Sequence, residues 1–358
     1  MSSEPATECA VIGDNFMQPG MFEAAIRARC GARVSLRCMT LPWPDAPMKH
    51  GYAEHGLDGL KEYQGDPDEI VRFVGAAAIL VTQLAPVSAP MLARMPALRL
   101  IAVSRGGPVN IDMDAADAHG VRVVNTPGRN ASAVAEFTIG AILAETRLLR
   151  SGHESLRAGV WRGDLYRADL TGRELGELSV GVVGYGHVGT RVVRLLKPFG
   201  CRVLVADPYV QLSREDRDDG VEQVALARLL GAADVVSLHA RVTAETTGFI
   251  GAADFAAMRP GAYFINTARG PLVDYEALIA ALQSGRLSGA ALDTFAIEPA
   301  PAGWKLLGLP NVTLTPHIAG ASVRTVKVAA EAVAEEVRRF VAGEPPRHPC
   351  NGALSAKG

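Results

Sequence analysis

The sequence predicts an α/β protein built from two units, each with a parallel sheet covered by helices. From Gly181 onward, short β-branched runs alternate with helical patterns, and a looser version of this alternation fills the first half. A chain of 358 residues is also too long for one ordinary core. Strict strand–helix alternation is typical of a sheet whose strands all run one way, with both faces covered. We expect a cleft between the two units.

Six strands are predicted in the second half of the chain. They are the GVVG run from Gly181 and residues 202–207, 234–240, 262–267, 289–294 and 312–316. The helical pattern TRVVRLLKPFG is expected to stop at Gly200. The pattern DYEALIAALQSG is expected to begin at Asp274 as an N-cap and to stop at Gly285.

The first half repeats the pattern with five predicted strands. They are ECAVIGD, RVSLRC, AAILVTQ, LRLIAVS and VRVVNT, with a helix near residues 21–28 after the first. The stretch TLPWPDAPMKHGYAEHGLDG is predicted as a long surface loop. A helix at residues 322–343 follows the sixth strand of the second half. We expect it to return to the first unit and make that unit discontinuous, although it could equally dock on the second.

Composition limits the class of partner. The formal net charge of -2, with 21% charged and 48% hydrophobic residues, gives no broad attraction for nucleic acid or an anionic membrane. No apolar run reaches the length of a bilayer span, and the amino terminus lacks the apolar core of a secretory signal. The five cysteines are scattered, without zinc-ligand spacing. We therefore expect a cytoplasmic protein with no structural metal and no nucleic-acid or membrane partner.

The stretch VGVVGYGHVG places a glycine-rich turn between a predicted strand and a predicted helix. Gly184 is expected to make the tight turn, Gly186 to let the backbone approach a phosphate, and Gly189 to let helix and strand pack closely. The N–H groups of such a turn and the following helix attract a pyrophosphate. The triplet alone also fits an ordinary junction. Asp207, 23 positions after Gly184 at the end of the next strand, favours a dinucleotide-binding Rossmann unit.

Asp207 also decides which dinucleotide is expected. Its carboxylate can accept hydrogen bonds from both ribose hydroxyls, and it would repel a 2′-phosphate. Pro208 and Tyr209 follow and supply no cation. The sequence therefore predicts NAD rather than NADP.

Three polar residues follow three predicted strands. Arg269 follows residues 262–267, Glu298 follows 289–294 and His317 follows 312–316. Ligands of open parallel sheets bind outside the carboxyl ends of the strands, so these side chains are expected to converge. Hydride transfer at a nicotinamide requires a proton to move at the substrate oxygen, and a histidine suits that step near neutral pH. A neighbouring carboxylate would favour the imidazolium, and a guanidinium would hold a substrate carboxylate.

Each of the three residues also has a structural interpretation. Arg269 can bond loop carbonyls, Glu298 can cap a helix, and His317 can be a packed histidine held by backbone bonds. Their shared position at one edge of the sheet favours the catalytic interpretation.

Five stretches together resemble the D-isomer-specific 2-hydroxyacid dehydrogenase family. They are VGVVGYGHVG, HARVTAETTGFI, FINTARGPLVD, ALDTFAIEP and LTPHIAGAS, and NTPGRNASAVAEFTIG is a weaker match. The resemblance implies an NAD-binding Rossmann domain and a discontinuous flavodoxin-like substrate domain. We expect the substrate (catalytic) domain at residues 1–126 and 321–345, the Rossmann domain at 127–320 and a tail at 346–358. The resemblance also implies a homodimer formed through the cofactor domain.

The resemblance implies roles for individual residues. His317 matches the family's acid/base, Glu298 its carboxylate partner, and Arg269 its substrate-binding arginine. Asp293 matches the position that contacts the nicotinamide carboxamide, with a strand-end turn as the structural alternative. His239 is expected to line the cofactor pocket. The other cofactor contacts expected are Gly184, Gly186, His187, Val188, Asp207, Thr267 and Ala268.

The loop SRGGPVN at residues 104–110 departs from the family's pattern, which is a small-residue turn with an aspartate before the asparagine. Gly106 and Gly107 keep a backbone cradle for the substrate carboxylate possible. Arg105 adds a cation, so one hypothesis is a doubly anionic substrate such as a phosphorylated or sugar-derived acid. The alternative is a structural arginine paired with a nearby acid.

The sequence therefore predicts an NAD-dependent oxidoreductase that acts on a small anionic D-2-hydroxy acid or 2-oxo acid. A 3-phosphoglycerate dehydrogenase or a sugar-acid-specific relative is the alternative within the family. A formate dehydrogenase is disfavoured, because that enzyme carries glutamine where this chain has Glu298. An NAD-sensing binding protein is the alternative of another class.

Overall fold

The computed structural model describes residues 5–42, 57 and 59–351. The described residues form two compact units. Unit 1 takes the chain up to Asn130 and from Ser322 onward, and unit 2 runs from Ala131 to Ala321. The surface loop predicted at residues 40–59 falls mostly outside the described residues, as do residues 352–358 of the tail predicted at 346–358.

Unit 1 is a five-stranded parallel sheet with helices on both faces. Its strands have the order β2-β1-β3-β4-β5, which is the flavodoxin-like order. With elements numbered along the whole chain, they are β1 (Thr7–Gly13), α1 (Pro19–Cys30), β2 (Val34–Thr40), α2 (Pro67–Val74), β3 (Ile79–Thr82), α3 (Ala89–Ala93), β4 (Leu100–Val103), α4 (Met113–Ala118), β5 (Arg122–Val124) and α12 (Val323–Val341). The five strands predicted for this half are confirmed.

The closing helix α12 lies in unit 1. It packs beside α1 against one sheet face, and its Val326, Val333 and Val337 share an apolar cluster with Val11 of β1 and Val81 of β3. Each strand alternates its side chains between this cluster and a second one on the opposite face, so both faces are covered.

After α12 the chain adds a short strand-like segment to the edge of the sheet. Pro349 forms an antiparallel bridge with Val124 of β5, and the Cys350 N–H donates to the Val123 carbonyl at 2.8 Å. The Asn351 side chain accepts from the Val123 N–H at 3.0 Å and donates to the Val121 carbonyl at 2.8 Å. Unit 1 therefore ends with β5 covered along its outer edge.

Unit 2 is a seven-stranded parallel sheet of the doubly wound Rossmann type, with the order β12-β11-β10-β9-β6-β7-β8. The order reverses between β6 and β9, which are neighbours. Its elements are α5 (Ala131–Thr146), α6 (Leu149–Arg157), β6 (Ser179–Val183), α7 (Gly189–Leu196), β7 (Arg202–Ala206), α8 (Arg214–Asp218), β8 (Glu222–Gln223), α9 (Leu226–Ala232), β9 (Val235–Leu238), α10 (Ala252–Ala257), β10 (Ala262–Asn266), α11 (Tyr275–Gln283), β11 (Leu287–Leu292) and β12 (Val312–Leu314).

The six predicted strands are confirmed, but the count of six is wrong because β8 was missed. This strand has only two residues, Glu222–Gln223, which is too few to show a period. The predicted helix ends are confirmed. The Asp274 carboxylate accepts from the Ala277 N–H at 3.1 Å, and Gly285 and Gly200 adopt the left-handed conformation after their helices. None of the helices described here is both long and apolar enough to cross a bilayer.

Candidate active site

The glycine loop follows β6, and each of its three glycines meets a different need. Gly184 has a φ of +99°, and a Cβ there would lie 2.7 Å from the carbonyl of His239. A Cβ on Gly189 would overlap the Gly184 carbonyl oxygen, so helix α7 could not approach the strand as it does. A Cβ on Gly186 would meet only open space. The loop therefore leaves room for a ligand at Gly186.

The backbone of the same loop offers unused donors. The N–H groups of Gly186, His187 and Val188 donate no hydrogen bond within the described part of the chain, and they directly precede α7. Successive free N–H groups at a helix N-terminus form an anion site. The loop accordingly fits the pyrophosphate of a dinucleotide.

Tyr185, between the first two glycines, anchors this loop. Its backbone N–H donates to Asp207 at 2.7 Å, and its buried hydroxyl donates to the carboxylate of Asp216 in α8. Asp216 also pairs with Lys197 and accepts from Ser213 at 2.9 Å. Burial acts to raise the pKa of Asp216, but the hydrogen bonds from Lys197, Tyr185 and Ser213 outweigh it and lower that pKa. The loop is thus tied to the segment that follows β7.

We expect Tyr185→Phe to raise KM for NADH about 5- to 10-fold while kcat stays within about 2-fold, because one buried hydroxyl that orients the loop is lost. Tyr263→Phe is the control. Tyr263 lies at the amino end of β10, whereas the glycine loop lies at the carboxyl ends of the strands. Steady-state kinetics with varied NADH measure both constants. An unchanged KM in Tyr185→Phe would show that the hydroxyl does not orient the loop.

Asp207 lies directly after β7, and backbone groups fix its carboxylate. It accepts from the N–H groups of Tyr185 at 2.7 Å, Tyr209 at 2.8 Å and Val210 at 2.9 Å. The acid predicted to bind the ribose is therefore held at the carboxyl end of its strand, beside the glycine loop.

His239 follows β9, next to β6. Its backbone N–H donates to the Val183 carbonyl at 2.7 Å, and its ring Nε2 lies 2.9 Å from the Ser237 hydroxyl. The buried Nδ1 has no hydrogen-bond partner among the described residues. Burial lowers the pKa of His239 to about 3, so the ring is neutral at physiological pH. An unsatisfied buried nitrogen beside the glycine loop fits a cofactor-lining residue.

Thr267 and Ala268 follow β10. The Thr267 hydroxyl bonds the Thr138 hydroxyl at 2.7 Å, so that side chain is already used. The side chain of Asn266 accepts from the Ala268 N–H and donates to the Arg269 carbonyl, both at 3.0 Å. Asn266 thereby fixes the turn that carries Arg269. Sequence reasoning missed this residue, although an asparagine at the end of a buried strand is a turn signal.

The structure brings Glu298 and His317 together. Glu298 Oε2 lies 2.8 Å from His317 Nδ1, and Oε1 accepts from the Phe295 N–H at 2.9 Å. The carboxylate therefore accepts a hydrogen bond from Nδ1–H, and Nε2 is the ring nitrogen that can exchange a proton with a ligand. The Glu298 side chain is 12% exposed, and the His317 side chain is 32% exposed. The pair is largely enclosed but reachable.

Arg269 lies within electrostatic range of this pair. Its Nη1 donates to the Ala268 carbonyl at 2.8 Å. Desolvation lowers the pKa of the guanidinium, and the negative charge of Glu298 acts to raise it. The residue as a whole is exposed, so its desolvation is only partial and the arginine stays charged.

His317 has an unusual backbone conformation that Asp293 stabilises. Its φ is +55°, in the left-handed region that a non-glycine residue rarely adopts, and its N–H donates to the Asp293 carbonyl at 2.8 Å. The buried Asp293 carboxylate accepts from Thr315 Oγ1 at 2.7 Å and from the Ile318 and Ala319 N–H groups at 2.9 Å. Asp293 thus holds the loop that carries His317, residues 315–319, which we call the histidine loop. Its contact with the nicotinamide carboxamide stays a prediction.

Gly270 lets the turn that carries Arg269, which we call the arginine turn, pack closely against the segment that leads to Glu298. A Cβ on Gly270 would overlap the carbonyl group of Phe295. The Tyr275 hydroxyl bonds the Thr294 carbonyl at 2.8 Å in the same region. Only glycine permits this approach of the two backbones. In the sequence, this requirement is visible as the glycine that directly follows Arg269.

In unit 1, the predicted substrate loop follows β4. The N–H groups of Gly106 and Gly107 donate no hydrogen bond to any described residue, and a Cβ on either would meet open space. The loop's shape is fixed through other groups, since Asn125 donates to the Gly106 carbonyl at 2.9 Å and the Thr126 N–H to the Arg105 carbonyl at 3.0 Å. These two free N–H groups suit a carboxylate ligand.

Arg105 takes the structural role that was the alternative. Its guanidinium forms an ion pair with the Glu62 carboxylate, and Nη1 donates to the Glu62 carbonyl at 3.0 Å. The nearby acid that this alternative required is Glu62. Binding of a second anionic group of the substrate by Arg105 stays a prediction.

Comparison with known proteins agrees with this geometry. The sequence profile described as "D-isomer specific 2-hydroxyacid dehydrogenase, NAD binding domain" matches residues 139–319, just over half of the chain. A glyoxylate reductase of Thermofilum pendens is 36% identical over 86% of this chain and 91% of its own length. A D-3-phosphoglycerate dehydrogenase of Mycobacterium leprae is 39% identical over 75% of this chain, but the match spans only 50% of that enzyme.

The solved structure of D-2-hydroxyisocaproate dehydrogenase has the same fold. It superposes with a TM-score of 0.80 at 26% identity, over 97% of this chain and 100% of the other. Together, the profile match, the nearly full-length relative and the dinucleotide-binding loop show that the chain belongs to the D-isomer-specific 2-hydroxyacid dehydrogenase family and is one of its NAD-dependent oxidoreductases.

Proposed function

We propose that the chain interconverts small D-2-hydroxy acids and 2-oxo acids with His317 as the acid/base. The observation that carries the proposal is the 2.8 Å pair of His317 Nδ1 and Glu298 Oε2, with Arg269 in electrostatic range at the same end of the sheet. Unit 2 would serve as the cofactor domain and unit 1 as the substrate domain.

A bound nicotinamide cofactor would supply hydride transfer in both directions between the hydroxy acid and the oxo acid. The protein groups manage the accompanying proton and charge. His317 Nε2 removes the hydroxyl proton during oxidation and returns it during reduction. Glu298 stabilises the imidazolium and keeps the ring oriented through Nδ1. Arg269 binds the substrate carboxylate and polarises the neighbouring carbonyl.

The cofactor would be held by three parts of unit 2. The N–H groups of Gly186, His187 and Val188 would bind the pyrophosphate, and Asp207 would accept from the ribose hydroxyls. The segment after Asp207, residues 208–213, holds no lysine or arginine for a 2′-phosphate. We therefore expect a strong preference for NADH over NADPH.

The favoured substrate is a 2-oxo acid with one negative charge, of the size of glyoxylate or hydroxypyruvate. The neutralised Arg105 supports this choice, as does the nearly full-length similarity to a glyoxylate reductase. A phosphorylated substrate is the second candidate, because several relatives are D-3-phosphoglycerate dehydrogenases. This chain matches only about half the length of those enzymes.

We further propose a cytoplasmic homodimer. Residues 149–170 of unit 2 expose several large apolar side chains, with Trp161 83% and Tyr166 95% exposed. Such a concentration of exposed apolar surface is typical of a protein interface. The five cysteines are all unpaired, as expected in a reducing compartment.

The test is NADH oxidation by the purified protein with glyoxylate, pyruvate, hydroxypyruvate and 3-phosphohydroxypyruvate, with NADPH as the cofactor control. We expect turnover of the singly charged acids, faster with NADH than with NADPH. Tight NADH binding without turnover of any 2-oxo acid would instead favour an NAD-sensing protein and contradict the proposal.

A further inference from the structure

A short segment of unit 1, residues 60–64, lies across the loops that follow β3 and β4. The Lys61 N–H donates to the Val109 carbonyl at 2.9 Å, and the Gln64 N–H donates to the Leu84 carbonyl at 2.9 Å. Between these two bonds, the Glu62 carbonyl accepts from Arg105 at 3.0 Å. We call residues 60–64 the crossing segment. Its backbone is fixed at one end to the substrate loop and at the other end to the loop that follows β3.

Glu62, at the middle of the crossing segment, is held in an unfavourable conformation. Its φ is +52°, in the left-handed region. A glutamate has no intrinsic preference for this region and gains nothing from it locally. The conformation persists because the bonds of Lys61, Gln64 and Arg105 determine it, and its result is that the Glu62 carboxylate faces Arg105.

The ion pair of Glu62 and Arg105 is mostly enclosed. Only 21% of the Glu62 side chain and 13% of the Arg105 side chain are exposed. At this burial, water screens the two charges poorly, so loss of the Glu62 carboxylate would make the surroundings of Arg105 more positive. A more positive Arg105, directly before the Gly106 and Gly107 N–H groups that donate to no described residue, would attract a phosphate or second carboxylate more strongly.

We propose that Glu62 is a specificity-determining residue that restricts the enzyme to 2-oxo acids carrying a single negative charge. The inference rests on the proposed function. Glu62 does so by pairing with Arg105, the residue that directly precedes the Gly106–Gly107 cradle. A substrate with a phosphate would have to displace the glutamate from its arginine and lie next to its charge. Specificity here comes from a repulsive element, as well as from attraction to the single carboxylate.

The test compares hydroxypyruvate with 3-phosphohydroxypyruvate, which differ only by the phosphate. We expect Glu62→Gln to raise the ratio of kcat/KM for the phosphorylated acid over that for hydroxypyruvate at least 10-fold. The double variant Glu62→Gln/Arg105→Gln should lose this gain, because the released cation is then absent. Glu69→Gln, which removes an exposed carboxylate from α2, should leave the ratio unchanged.

A second variant guards against a folding defect. Glu62→Gly removes the same carboxylate and relieves the left-handed backbone, since glycine adopts this φ freely, so this relief offsets part of the stability lost with the ion pair. We expect the same gain in the ratio. A wild-type enzyme that is active, with neither variant changing the ratio, would overturn the role of Glu62 and leave the proposed function intact. A wild-type protein inactive on every 2-oxo acid would overturn both.

Discussion

Replacing His317 with asparagine is expected to lower kcat for 2-oxo acid reduction about 10³-fold. The substrate oxygen must gain a proton as the carbonyl is reduced, and the ring held by Glu298 is the group placed to supply it. Asparagine is the right substitution because it tolerates the left-handed φ of +55° at this position, whereas alanine would add backbone strain. The variant should therefore fold and keep its Asp293 contacts.

Two measurements separate loss of proton transfer from loss of structure. The dissociation constant for NADH, followed by cofactor fluorescence, should stay within about 3-fold of the wild-type value, because the glycine loop is untouched. His119→Asn, at the exposed C-cap of α4 in unit 1, is the control and should retain full activity. A kcat of His317→Asn within 10-fold of wild type would remove His317 as the acid/base.

Replacing Gly270 with alanine is expected to destabilise unit 2 by about 3 kcal/mol or more and to reduce kcat/KM even where the protein stays folded. The added methyl would overlap the Phe295 carbonyl, and both groups belong to backbone. Relief therefore requires the arginine turn and the segment before Glu298 to move apart. That movement would separate Arg269 from the Glu298–His317 pair, so stability and catalysis should fall together.

The matched control is Gly231→Ala in α9, where the nearest atom to the new methyl lies 3.9 Å away. Alanine is favoured over glycine inside a helix, so this variant should be neutral or slightly more stable. Thermal unfolding followed by circular dichroism, together with kinetics at 20 °C, measures both effects. If Gly270→Ala unfolds at the same temperature as Gly231→Ala and keeps full activity, the close approach of the two backbones is not required.

Much of the fold and of the site could be predicted because the signals are local. Each strand appears as a short β-branched run, and each catalytic candidate stands directly after such a run. The carboxyl ends of parallel strands share one edge, so position in the sequence was enough to expect that Glu298 and His317 meet, as they do at 2.8 Å. The glycine loop has the same local character.

The rest depends on contacts between distant segments. Nothing near Glu62 in the sequence indicates that it pairs with Arg105, since the crossing segment is positioned by bonds to loops 20 or more residues away. The same holds for Asp216 and Tyr185, and for the buried Asp293, whose carboxylate holds the histidine loop. Strand β8 was not predicted for a different reason, because a strand of two residues is too short to show an alternating pattern.

The short segment that covers β5 also affects how unit 1 meets other proteins. A parallel sheet with an open edge presents unpaired N–H and C=O groups that can recruit a strand from another molecule and begin aggregation. Here Pro349 and Cys350 supply that pairing from the same chain, and Asn351 caps it through its side chain. The chain thus occupies this edge of the sheet with its own residues, so a strand from another molecule could pair there only by displacing residues 349–351.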